Sequence, residues 1–187
     1  MARLATALAF MLALAGCAST PPVAPVDTRA ALPDRWSLQG RIGVKSTEQS
    51  LSGNMLWKHR GGTDELLLAS PLGQGVARIV RDPSGVALEV PNQPVRRAAD
   101  AESLTRAVLG YGLPVAGLTW WVQARPAPGS TFEATRDSRN RFEQILQDGW
   151  TINYLRYADD APDRPQKLAL MREGLEIRLI VDSWKGE

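Results

Sequence analysis

The chain has one cysteine, Cys17, and one histidine, His59, among 187 residues. These counts restrict the chemistry it can do. A Ser-His-Asp or Cys-His relay needs an imidazole beside its nucleophile, and a zinc site of the usual ligands needs several His or Cys together. His59 stands alone in "WKHRGGT", at a hairpin turn, where it is expected to be solvated. Neither a relay nor a metal site follows, and no cofactor is expected. Asp159 and Asp160 are adjacent in the loop "ADDAPDRP", which turns them apart and leaves them as solvated charge. "GQGVAR" lacks the lysine and the following helix of a phosphate loop. A carboxylate pair from distant strands needs no local motif, so composition does not remove it.

Cys17 can instead carry a substituent on its sulfur. It closes the leader "MARLATALAFMLALAGC", in which Arg3 is a basic start and Leu4 to Leu14 an apolar run. That run is shorter than the about 20 residues a mature membrane span requires. Leu14, Ala15, Gly16 and Cys17 are similar to a bacterial lipobox, where the cysteine is acylated and the peptide is cut before it. The alternative is an ordinary secretory signal with an incidental cysteine. On the lipobox reading, residues 1–16 are a lipoprotein signal peptide. Residues 17–33, Pro- and Ala-rich without periodicity, are a lipidated tether, and residues 34–187 are one folded domain. Two or three acyl chains hold a protein firmly to a membrane where one is marginal. Ala18 and Ser19 lack the aspartate that retains such proteins at the inner membrane of enteric-type bacteria. This favours a lipid-anchored position on the periplasmic face of the outer membrane.

The domain reads mainly as strands. Trp36, Leu38, Gly40, Ile42 and Val44 alternate in "WSLQGRIGVK", and Leu51, Gly53, Met55 and Trp57 alternate in "LSGNMLWK". "ELLLAS", "QGVARIVR", "VALEV", "GWTINYLRY", "KLALMRE" and "LEIRLIVDSW" continue the theme, separated by Gly- and Pro-bearing turns. Clean alternation indicates antiparallel sheet with one wet face. In the middle, "DAESLTRAVLG" has Asp100 as an N-cap and Gly110 as a stop, and Pro114 opens a second helix in "LPVAGLTWWV". Two helices inserted into roughly ten strands suggest a barrel lidded by helices, or else a sandwich with surface helices. Glycines 40, 43, 53, 73 and 75 suit a strongly curved sheet. With 22 basic against 20 acidic residues, scattered along the chain, nucleic-acid binding is not indicated.

Ile42, Val44, Met55, Trp57, Leu66, Leu68, Ile152 and Ile177 share the period-two registers that avoid charge; Arg41, Lys58, Glu65 and Arg178 lie on the other. They form either a solid core or the lining of a cavity for an apolar ligand. "ASPLGQG" raises a different question. Ser70, Pro71 and Gly73 fit a type I turn, yet its third position, usually polar, is Leu72. Leu72 either projects into solvent or folds back on Trp57 or a lid helix.

The lipobox, "LQGRIGVK", "LLLASPLGQG", "LPVAGLTWWV", "QDGWTINYLRY" and "LEIRLIVDSW", in this order, resemble the outer-membrane lipoprotein receptor family of the Lol pathway, LolB, over Trp36 to Trp184. The resemblance implies a half-open antiparallel β-barrel around a hydrophobic cavity with a helical lid. It implies a receptor, not an enzyme, that takes lipoproteins from the periplasmic carrier LolA and inserts them into the outer membrane. Its partners would be lipoprotein acyl chains, LolA and outer-membrane lipid, and a monomer is expected. Cys17 would be the lipidated residue, and Pro71, Leu72 and Gly73 the membrane-insertion loop. The eight inward residues above would contact acyl chains. Ala124 departs from the glycine expected in relatives, and Ser70 from asparagine. LolA is expected to share the fold, but the lipobox and the "PLG" loop favour the receptor. The alternatives of another class are a lipid-anchored envelope assembly or structural module without an acyl-chain ligand, and a cell-wall enzyme.

Overall fold

A computed structural model describes residues 34–47 and 50–186. The leader, Cys17 and the tether lie outside the described residues. The elements are β1 (Arg35–Lys45), β2 (Ser50–Arg60), β3 (Thr63–Ala69), β4 (Gly75–Asp82), β5 (Gly85–Glu89), β6 (Arg96–Ala98), α1 (Ala101–Leu109), α2 (Val115–Trp121), β7 (Phe132–Arg136), β8 (Phe142–Gln147), β9 (Trp150–Tyr157), β10 (Pro165–Arg172) and β11 (Leu175–Gly186).

All the strands form one antiparallel sheet in the order β6-β5-β4-β3-β2-β1-β11-β10-β9-β8-β7. It is two meanders joined where the first strand pairs with the last. Its free edges are therefore β6 and β7, which are neighbours in sequence and opposite in space. The connection between them, which carries α1 and α2, must travel from one edge of the sheet to the other. The helices lie across the concave face for this topological reason. Their buried residues Leu104, Leu118 and Trp121 belong to the same core as the strands.

Period-two patterning matches burial along β1 and β11 and in β2 from Met55 onward, whereas Leu51, of the same parity, is 44% exposed. In β1, Trp36, Leu38, Gly40, Ile42 and Val44 are buried while their neighbours are not. In β11, Ile177, Leu179 and Val181 follow the same rule. On the outer face charges pair across strands: Arg41 with Asp182, and Arg78 with both Glu65 and Glu89. Two of the five glycines flagged for curvature have a steric reason to be glycine. A Cβ on Gly40 would stand 2.2 Å from the Ile180 carbonyl oxygen, and one on Gly53 2.2 Å from that of Ala69. The ladder slips register beside both, between Gln39 and Gly40 and between Leu68 and Ala69. Such bulges bend and twist the strand that carries them.

Both helices begin where expected. Asp100 caps α1 by accepting from the Ser103 N–H at 2.8 Å, and Gly110 ends it in the left-handed region at φ 82°. The Ser103 hydrogen bonds hold the Asp100 carboxyl below its ordinary pKa. Helix α2 follows Pro114. Shortly beyond it Ala124, buried, takes φ 52°, a conformation that costs a non-glycine residue energy. The departure from the expected glycine therefore sits at a position that calls for one. Strands β6, β7 and β8 carry no usable alternation: β7 is mostly exposed, and β8 turns Gln147 inward beside Phe142 and Ile145.

Candidate functional site

Ile42, Val44, Met55, Trp57, Leu66, Leu68, Ile152 and Ile177 come from five strands and meet on one face, none more than 7% exposed. Trp36, Leu38, Ile79, Leu88, Leu168, Leu170 and Leu179 continue the same surface. Trp36, Leu38 and Leu179 among these share the inward alternation of β1 and β11. Trp121 from α2 completes it; only the tertiary path of the connection reveals that residue.

The helix is held from two sides by polar groups. On one side is Asp64, at the start of β3 and fully buried. Its Oδ1 accepts from Trp57 Nε1 at 2.9 Å and lies 2.8 Å from His59 Nδ1. Its Oδ2 accepts from Arg81 Nε at 3.0 Å and pairs with the same guanidinium through Nη2. Thr119 Oγ1 of α2 stands 3.2 Å from that oxygen and 3.0 Å from the Val115 carbonyl; its single proton serves one of them at a time. A carboxylate accepts only, so His59 carries its proton on Nδ1.

This corrects the expectation of a solvated His59. The inward register of β2 runs on past Trp57 to His59, and the ring stacks on Trp36 at 5.2 Å. The signal available in the sequence was Asp64, which shares inward parity with Leu66 and Leu68 and faces His59 across the ladder. A charge on an inward position implies buried partners.

On the other side, Gln147 accepts from Trp121 Nε1 at 2.9 Å and from Ala127 N at 2.8 Å, and donates to the Ala127 carbonyl at 2.8 Å. Tyr154 donates its hydroxyl to the Trp121 carbonyl at 3.0 Å. Burial, with a lesser contribution from Tyr157, pushes the Tyr154 hydroxyl well above its ordinary pKa, so it remains a donor. An open cleft of about 510 Å³ lies between the β4–β5 turn and the starts of α1 and α2, bounded by Arg81, Asp82, Asp100, Gly117, Trp150 and Arg172 among others. A separate open groove of about 340 Å³ lies on the outer face of the sheet, lined by Gln39, Asn54, Leu56, Leu67, Ala69 and Asp182 among others.

That hairpin carries Leu72. Ser70 accepts from Gly73 N at 2.9 Å and donates its own N–H to the Gln74 carbonyl at 2.8 Å. Gly73 has φ 84°, and Leu72 is not among the positive-φ residues, which excludes a type II turn. The result is a type I turn followed by a left-handed glycine, a common three-residue hairpin loop. The Asn54 side chain braces it through the Ser70 carbonyl at 3.3 Å. Pro71 and Gly73 are exposed, and Leu72 is 90% exposed, more than any other large hydrophobic residue described. It does not fold back on Trp57 or on a helix.

Among the described residues no group of three or more His, Cys, Asp or Glu is arranged to hold a metal. No helix among them is long and apolar enough to cross a membrane.

The family described as "Outer membrane lipoprotein LolB" matches residues 34–184. The chain is 55% identical over 186 residues to the outer-membrane lipoprotein LolB of Thiobacillus denitrificans, covering 100% of this chain and 99% of that one. It is 38% identical over 190 residues to the protein of the same name from Ralstonia nicotianae, covering 90% of each. In fold it is similar to a LolA superfamily protein from Nitrosomonas europaea, with a TM-score of 0.51 at 12% identity over 82% of this chain and 86% of that one. A family model over most of the folded domain and close relatives over the whole length agree: the chain belongs to the LolB family of outer-membrane lipoproteins.

Proposed function

We propose that lipoprotein acyl chains occupy the inner face of the sheet, against Ile42, Val44, Met55, Trp57, Leu66, Leu68, Ile152 and Ile177, in the space that α2 fills here. We further propose that Pro71, Leu72 and Gly73 form the loop that meets the membrane. As a LolB-family protein, the chain is the outer-membrane, lipid-anchored receptor of the Lol pathway, a binding and transfer protein and not an enzyme. It works with lipoproteins and with LolA. A monomeric state and the lipid attached to Cys17 belong to the proposal.

The observation that carries this reading is the continuous apolar surface on one side of an unclosed sheet, covered by a connection and not by a strand. A lipoprotein anchor exposes dozens of methylenes, and each buried one contributes about 0.8 kcal/mol. An apolar trough stabilises such a ligand without catalytic groups or nucleotide. The rival, a structural module with a solid core, also expects a filled interior. What favours displacement is the identity of the filler. Leu118 and Trp121 are apolar groups on a short helix, so acyl chains exchange for them like for like. The polar attachments at Asp64, Gln147 and Tyr154 are few.

Cys17→Ala tests whether fold and anchor are separable. The variant is expected to be soluble and to accept a labelled lipoprotein from LolA as the native protein does. Loss of acceptance in the purified assay, with an unchanged circular dichroism spectrum, would show that the domain alone does not form the receptor.

A further inference from the structure

The loop that carries Leu72 has a neighbour. Strand β4 leaves that loop at Gly75 and runs beside β5, with Arg78 paired to Glu89 at the end of β5. Residues 90–95, which lead from β5 to β6, therefore open at the same end of the sheet, one strand along, and neighbouring strands stand about 5 Å apart. Their turn is fixed. The Gln93 N–H donates to the Val90 carbonyl at 3.1 Å, Pro91 takes the second position, and Asn92 takes the third with φ 61°. These are the features of a type II turn.

Apolar exposure gathers at this end. Leu51 lies on β2 shortly before Asn54, whose partner Ala69 precedes the Leu72 loop. Of the seven exposed large hydrophobics among the described residues, Leu51, Leu72, Val76 and Val95 thus sit on or beside the two loops. The charge is one-sided as well. Residues 69–77 and 90–99 contain no acidic side chain, and their only basic ones are Arg96 and Arg97. Both arginines are exposed, and neither has a carboxylate partner among the described residues. Elsewhere on the sheet Arg41 is neutralised by Asp182, and Arg78 by Glu65 and Glu89. An apolar rim backed by unpaired guanidinium groups complements a bilayer whose headgroups carry anionic phosphate. We propose that residues 90–97 are a second membrane contact beside the Leu72 loop, in which Val95 enters the interface and Arg96 and Arg97 engage the phosphates of anionic phospholipid. Two contacts fix the tilt of the domain on the bilayer, which a single tip does not. This rests on the reading of Leu72 for which end of the sheet meets the membrane.

The test uses full-length lipidated protein in vesicles of phosphatidylethanolamine and phosphatidylglycerol. In the lipidated protein the sulfur of Cys17, the sole cysteine, is occupied. Leu72→Cys, Val95→Cys or Ser84→Cys then supplies one free thiol for an environment-sensitive fluorophore. Ser84 is exposed in the β4–β5 turn, at the opposite end of the sheet. Blue-shifted emission is expected at 72 and 95 and not at 84. Emission at 95 like that at 84, with 72 shifted, overturns the proposal and leaves the arginines as guards of an edge strand. Emission at 72 like that at 84 overturns instead the reading beneath it. Arg96→Glu combined with Arg97→Glu is expected to leave thermal unfolding and acceptance from LolA unchanged. Delivery of a labelled lipoprotein to these vesicles should fall about tenfold or more, since each basic group at an anionic surface is worth about fivefold in affinity. Unchanged delivery contradicts the proposal. So does loss of acceptance, which would place the carrier on this surface.

Discussion

Leu72→Glu is expected to fold as the native protein does, to accept a lipoprotein from LolA, and to fail in releasing it to a bilayer. Leu72 is 90% exposed, so its replacement should change stability by no more than about 0.5 kcal/mol. The loop is closed by backbone hydrogen bonds and by Gly73 in the left-handed region, none of which involves the Leu72 side chain. A carboxylate at the tip would have to lose water without a partner on entering the interface, which is costly. Leucine there instead contributes about 1.5–3 kcal/mol on burial, enough to orient the domain and too little to anchor it. Leu72→Ile and Leu72→Phe should retain most delivery. Paired thermal unfolding and transfer into liposomes decide the matter. If Leu72→Glu and Leu72→Ala both unfold the domain early, the residue supports the fold and the membrane reading fails.

The largest effect on stability is expected at Asp64. Its carboxylate is wholly buried and is shared by Trp57, His59, Arg81 and Thr119. Asp64→Ala leaves the Trp57 indole N–H without its acceptor in the interior and the Arg81 guanidinium, 25% exposed, without its carboxylate; the stranded buried donor alone costs about 1–3 kcal/mol. Thr119→Val removes only the connection to α2 and should cost about 1 kcal/mol. Urea unfolding of the two variants gives the comparison. An Asp64→Ala loss no greater than that of Thr119→Val would mean that the carboxylate is not the hub that the geometry describes.

How legible this was in the sequence depended on the kind of signal. Strands with one wet face announce themselves by alternation, so the inward apolar residues of β1 and β11, and Met55, Trp57, Leu66 and Leu68 of β2 and β3, are legible, while Leu51, His59 and Asp64 are not. The caps of α1 are local chemistry, and Asp100 and Gly110 could be read directly. The same logic fails for β7, whose residues are mostly exposed at a sheet edge, and for β8, where Gln147 faces inward to hold Trp121 and the 127–130 loop. The burial of His59 is masked in the sequence by the turn signal two residues away, which competes with strand parity. That α2 crosses the concave face was not legible, because it follows from β6 and β7 being the two edges of the sheet, a long-range pairing that no local pattern encodes. Leu72 was identifiable as anomalous from turn chemistry alone; whether it pointed outward required the fold.

The account stands most directly on where the acyl chains go. A photo-crosslinking residue can be placed at Leu66 or Ile152, which face inward, and at their neighbours Leu67 or Asn153, which face outward on the same strands. Each form is loaded by LolA with a lipoprotein carrying labelled acyl chains, irradiated and analysed for label. Capture at 66 and 152, with little at 67 and 153, is the expected result. Capture confined to 67 and 153, or no capture at any inward position despite normal acceptance, would show that the cargo does not occupy the inner face.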